Sequence, residues 1–282
     1  MRIASIILLA CLMPAALLAQ WPPYLRADVP RTADGKADLN APAPRLANGK
    51  PDFTGTWESR GGPSGRLGGP FLQSLTPDAP PVATFVDAGR NMKGGLPYTP
   101  WAAELRKQRM ARFSQDNPDA QCLPMGFLQT HTHSQPRRIV QTKDDVIIMY
   151  EANQGLRQIF TDGRTLPEDP NPQWEGYSVG RWDGDTLVVE SLGFRDEGWL
   201  DVNGSPFTSG LRLTERYRRV NYGRMEIDLT INDPKAYTQP FTLRVNWRLE
   251  PDQQLIEFIC HENNLSKEHY VAPAVNAPPA QE

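Results

Sequence analysis

The sequence predicts an all-β protein, an antiparallel meander closing into a barrel. Three observations carry this. From Arg138 onward the chain is a succession of short segments rich in Val, Ile, Thr and aromatic residues. Turn residues separate them at short intervals, which makes neighbouring strands antiparallel. The run YSVGRWDGDTLVVES over 177–191 is a hairpin signal, with Asp183-Gly184 offering the positive φ angles of a type I′ turn. Strands are expected near 138–142, 145–151, 156–162, 176–182, 185–192, 211–219, 224–231, 241–249 and 254–262. So many in a row favour closure, which removes exposed edges.

Residues 1–19 read as a secretory signal: Arg2, an apolar run from Ile6 to Leu18 and small residues around Ala19. They predict export, to the periplasm or the cell exterior. Lipid attachment at Cys11 is disfavoured, because the apolar run continues past it. Residues 20–51 read as an extended Pro-rich arm holding a short repeat, RTADGKADL at 31–39 and RLANGKPDF at 45–53, each a tight docking turn. Residues 52–282 form the single barrel domain. Its first strand is FTGTWES at 53–59, where Gly55-Thr56-Trp57 resembles the Gly-x-Trp that opens the first strand of lipocalins, a resemblance that implies Trp57 as a plug at the closed end. One helix is expected near 100–114, capped by Thr99 with Pro100 at its first position. Its basic run, Arg106 to Arg112, reads as a solvated face.

Composition excludes some functions. With 30 basic and 33 acidic residues the net charge is −3, which provides no cationic field for nucleic acid. After the signal no apolar run nears the ~20 residues of a membrane helix. Nucleophile-elbow, phosphate-loop and dinucleotide fingerprints are missing, so no cofactor is implied. Cys122 and Cys260 are either a disulfide tying the ends of the sheet or two buried thiols.

Period two sorts the strand faces. Met225, Ile227, Leu229 and Ile231 share one face, as do Phe241, Leu243, Val245, Trp247 and Leu249. Against that rule, Glu215 stands between Leu213 and Tyr217. Glu262 follows Ile256, Phe258 and Cys260 in register, and Glu151 follows Ile147 and Met149. Arg157 shares a face with Ile159, and Glu190 with Val188. A carboxylate on an inward face is costly unless paired or protonated. These residues are therefore either a structural ion network or a polar cluster at the bottom of a pocket. Glu151, Arg157, Glu190, Glu215 and Trp182 are the candidate ligand contacts. Glu215, Glu262, His133 and Arg157 are the acid–base set if the protein is an enzyme. His131 and His133, which at spacing two on a strand would project from one side, are a weaker metal alternative with His261, Glu262 or His269 brought from the far end.

The motifs PDFTGTW, CLPMG, RQIFTDGR, SVGRWDGDTLVVES, LTERYRR, INDPKAYTQPF and ICHEN occur here in order. On them the chain resembles an uncharacterised family of secreted bacterial β-barrel proteins of calycin or lipocalin type. The resemblance implies a calycin-like barrel and export, without an activity. The leading expectation is a barrel that binds a small, largely apolar organic molecule with a polar end. A cofactor-independent lyase, isomerase or hydrolase using the same pocket is the alternative, and a structural envelope protein docking through its arm is the third. An interior filled by Trp57, Trp182, Trp247 and their neighbours would sink both of the first two together.

Overall fold

The computed structural model describes residues 26–59 and 78–262. The signal segment with Cys11, the first residues of the arm and His269 lie outside the described residues. Nine strands form one closed barrel in sequence order. They are β1 (Gly55–Ser59), β2 (Arg137–Gln141), β3 (Asp145–Tyr150), β4 (Leu156–Phe160), β5 (Tyr177–Asp183), β6 (Thr186–Leu192), β7 (Arg212–Asn221), β8 (Arg224–Asn232) and β9 (Phe241–Leu249). Strand β1 closes the ring by pairing with both β2 and β9.

Two expectations need correction. The barrel is mixed, because β5 pairs parallel to β4, through Ile159 to Ser178 and Phe160 to Val179. The connection over 161–176 is long enough for the crossover that parallel neighbours require. The strand expected at 254–262 does not form; its alternation has no edge to pair with, since β9 is already flanked by β8 and β1. The segment instead runs as a strap outside the barrel, pinned by the Cys122–Cys260 disulfide. Ile256 N also donates to the Glu151 carboxylate at 3.0 Å.

The hairpin of β5 and β6 forms with a shift of one residue. Asp183 pairs with Thr186, so the two loop residues are Gly184 and Asp185. Only Gly184 has positive φ, at 58°, which suits a glycine-first type II′ turn and not type I′.

The arm copies are matching turns, closed by bridges from Arg31 to Ala37 and from Arg45 to Pro51. In each, the Arg guanidinium donates to a turn carbonyl, of Gly35 or Gly49. It then forks onto an aspartate elsewhere in the chain, Asp252 for Arg31 and Asp185 for Arg45. The repeat therefore docks the arm onto the protein's own barrel.

Helix α1 (Pro100–Ala111) starts as expected, with the Thr99 side chain accepting from Ala102 N, and stops three residues before 114. Its basic run is divided: Lys107 and Arg112 are exposed as expected, whereas Arg106 pairs with Asp87, and Arg109 donates to Gly204 O and stacks over Trp199.

The barrel interior is packed with side chains. Trp57, Trp247, Ile139, Ile148, Ile227 and Leu229 are fully buried in one core. At one end Trp57 Nε1 donates to Phe53 O, and the Arg219 guanidinium lies 4.8 Å above the Trp57 ring. At the other, helix α2 (Phe127–Thr132) enters with all six residues buried. Gly126 caps it, and a Cβ there would collide with the Trp199 carbonyl, so only glycine lets the plug seat this deeply. Each buried aromatic or aliphatic side chain stabilises by about 1.5–3 kcal/mol. That stabilisation replaces the open chamber expected from the sequence.

Candidate functional site

Between the α2 plug and the Trp57 floor lies a layer of polar side chains built by strand alternation. In β4, Leu156 and Gln158 face out, so Arg157 faces in; in β7, Leu213, Glu215, Tyr217 and Arg219 face in. Ser178 of β5 and Ser191 of β6 are direct partners on the inner face. Tyr150 of β3 and Arg137 of β2 form another such pair. His131 descends from α2.

Arg157 is the hub. Its Nη1 donates to Glu215 Oε1 at 3.0 Å, and its Nη2 donates to Glu215 Oε2. Nη2 also reaches Ser178 Oγ at 3.1 Å and Ser191 Oγ at 3.0 Å. His131 Nδ1 lies 2.8 Å from Phe127 O and so carries a proton, while Nε2 lies 2.8 Å from the Tyr217 hydroxyl. That hydroxyl is 3.0 Å from Glu215 Oε1, which itself approaches His131 Nε2 to 3.1 Å. Burial pushes the His131 imidazole down despite the pull of Glu215. With a neutral imidazole, the single Tyr217 proton sits between Nε2 and Oε1. Burial also works against the Glu215 carboxylate, but the charge of Arg157 and its bidentate hydrogen bonds outweigh it and hold Glu215 at about 2. Glu215 is thus a fixed anion, bound to a fixed cation.

Next to this closed set stand three buried polar atoms without a hydrogen-bond partner: Tyr150 Oη, Glu175 Oε2 and Arg137 Nε. Glu175, in the loop before β5, is 8% exposed. Burial, opposed by Arg157 and reinforced by Glu215, pushes its carboxyl up to about 7. Arg137 is fully buried, stacks 4.8 Å over Trp247 and donates to the carbonyls of His131, His133 and Gln135. It makes no ion pair among the described residues. Burial lowers it to about 10, against a pull from Tyr150.

Glu175 yields a direct expectation. Its folded pKa lies above the ordinary carboxylate value of 4.5, so its ionisation destabilises the fold as pH rises from 4.5 through 7. Glu175→Gln is therefore expected to be neutral at pH 5 and to stabilise by about 1–3 kcal/mol at pH 8. Urea unfolding at the two pH values measures this; an equal effect at both contradicts it.

Arg157 and Glu215 meet as the sequence suggested, and His131 joins them. The other candidates do not. Glu190 points outward and pairs with exposed Arg181, because the inner face of β6 is Leu187, Val189 and Ser191. Glu151 sits on the outward face and latches the strap. Trp182 packs at the floor, 5.3 Å from Phe53. Glu262 and His261 are exposed at the end of the strap, for want of the last strand. His133 follows α2 as its cap residue and packs edge-on against Phe85 at 5.0 Å. The two histidines fall on a helix end and not on one strand face, and no group of three metal ligands occurs among the described residues.

Tyr150, Arg137, Ser178 and Ser191 are the members that sequence reasoning missed. Alternation marks the serines as polar breaks on apolar faces. For Glu175, in an irregular loop, there is no such signal.

Tyr150 also borders an outer groove of about 500 Å³ between the ends of β3 and β4 and the strap, lined by Met149, Leu156, Leu255, Ile256 and Phe258. Leu156 and Ile256 are 63% and 65% exposed there, unusual for large apolar side chains. A larger groove of about 1200 Å³ lies between the first arm turn and the start of the strap. No helix of the described residues is long and apolar enough to cross a membrane. No family model, curated protein or solved structure matches the chain.

Proposed function

We propose that the protein is an exported carrier or receptor for a small organic molecule, largely apolar with a polar end. The apolar body lies in the groove between β3, β4 and the strap, and the polar end meets Glu151, Gln154 and Glu257 on its lining. The observation that carries this reading is the groove itself, lined by Met149, Leu156, Leu255, Ile256 and Phe258. Exposed Leu156 and Ile256 supply the apolar surface. Export agrees with the Cys122–Cys260 disulfide, since such bonds persist in oxidising compartments.

The test is uptake of the neutral fluorophore N-phenyl-1-naphthylamine, together with mass spectrometry of a solvent extract of the purified protein. The full chain is expected to take up the probe. Leu156→Asp, at an exposed position, is expected to weaken uptake about tenfold. A chain that binds no probe and yields no extractable molecule contradicts the reading.

One observation favours an enzyme as the second reading. Glu175 at about 7 is poised for general acid–base chemistry, which Glu215 at about 2 is not. Turnover that follows one ionisation near pH 7, and that Glu175→Gln abolishes, is its expected signature.

A further inference from the structure

We propose that the polar end of the ligand is a protonated amine, held by Glu151 and Glu257 while its apolar body lies along the strap. This rests on the binding reading above and deepens it, by fixing the charge of what the groove takes.

The two outer grooves meet. Glu151, Leu255, Ile256 and Glu257 line both, so one trough follows the strap from the first arm turn to the start of β4. The part beside β4 is about 500 Å³ and carries the exposed apolar side chains Leu156 and Ile256. A cleft of that size takes one small organic molecule. Its carboxylates are Glu151 and Glu257, and Gln154 adds a carboxamide; among the described residues no Lys, Arg or His lines this part.

Ion pairing in the wider part leaves the same two carboxylates over. Three cations line it, and each already has a partner: Arg31 lies 2.7 Å from Asp252, Lys36 2.7 Å from Asp34 and Arg248 3.8 Å from Glu250. Glu151 and Glu257 form no ion pair among the described residues. Glu151 is the costlier of the two, being 7% exposed while its side chain accepts a backbone hydrogen bond from Ile256 N at 3.0 Å. A buried carboxylate is unfavourable until an opposite charge reaches it. Glu257, the next residue of the strap after Ile256, is exposed.

Ligand classes separate on this charge. An alkylammonium brings three N–H donors and one positive charge, which complement carboxylate and carboxamide oxygens. A carboxylate or phosphate meets two anions, and cations that are already paired. A hydroxyl can donate one hydrogen bond but gains no charge attraction. A metal ion finds too few ligands, since no group of three occurs among the described residues, and it leaves Leu156 and Ile256 bare.

The experiment is displacement of N-phenyl-1-naphthylamine from the full chain by octylamine, octan-1-ol and octanoate at pH 7, where the amine is protonated. Octylamine is expected to displace the probe at a concentration at least about tenfold below either of the others. Glu257→Gln, at an exposed position, is expected to narrow the preference for amine over alcohol about threefold. Glu151→Gln, whose amide oxygen can still accept from Ile256 N, is expected to narrow it about tenfold. Added salt is expected to weaken the amine more than the alcohol. Equal displacement by the alcohol, tighter binding of octanoate, or an amine preference that neither variant narrows overturns the amine while leaving the groove in place. A chain that takes up no probe and yields no extractable molecule overturns the binding reading together with it.

Discussion

Replacing Arg157 by Met is expected to destabilise the protein by about 3–5 kcal/mol, because Glu215 is left as a fully buried carboxylate without its cation. Urea denaturation at pH 7 measures the loss. The double variant Arg157→Met with Glu215→Leu is expected to recover most of it, since an apolar pair of similar volume avoids both desolvation penalties. A double variant as unstable as the single one contradicts this account. The pH dependence gives a second readout. In the native protein Glu215 sits at about 2, below its ordinary 4.5, so its stabilisation is complete above 4.5 and is lost as pH falls toward 2. In Arg157→Met burial acts without the guanidinium and raises the folded pKa above 4.5. The sign reverses, and the variant gains stability as pH falls through that range.

The second large effect is expected from removing the disulfide. Cys122 and Cys260 are 138 residues apart, so their bond constrains a very long unfolded loop. Replacing both by Ser is expected to cost about 2–5 kcal/mol. The strap that Cys260 ends has no strand partner, and its Ile256 N is tied to the wall through Glu151. Limited proteolysis of the Ser variant is therefore expected to cut within 253–262 before the barrel unfolds, while the disulfide-bonded protein resists. Cleavage elsewhere first, or equal resistance, shows that the strap is held by something other than these two ties.

The barrel was largely legible in the sequence, and the strap was not, for related reasons. Alternation in β7, β8 and β9 identifies inward faces because each strand meets a single core. The same alternation at Ile256, Phe258 and Cys260 suggested a tenth strand. Whether a strand forms depends on a free edge, and the closure of β1 on β9 leaves none. Glu262 lost its place for that reason alone. Glu190 failed differently: Val188 and Val189 are both buried, so apolar neighbours on either side give no sign of which face is inner. The spacing of His131 and His133 suits one face of a strand. Their helix is a single buried turn whose existence depends on Gly126 approaching Trp199, a contact between residues far apart in sequence.

What the sequence by itself determined is local: strand positions, the Thr99 cap, the paired turns of the arm, and Arg157 and Glu215 as polar intruders on apolar faces. Each follows from residues within a few positions of one another, where backbone geometry and period two act directly. Tertiary structure alone decided that Arg157 and Glu215 pair, that the interior is filled, and that Tyr150, Glu175 and Arg137 are left with unused buried atoms. Those outcomes depend on closure and desolvation, which exist only when distant strands are brought round one core.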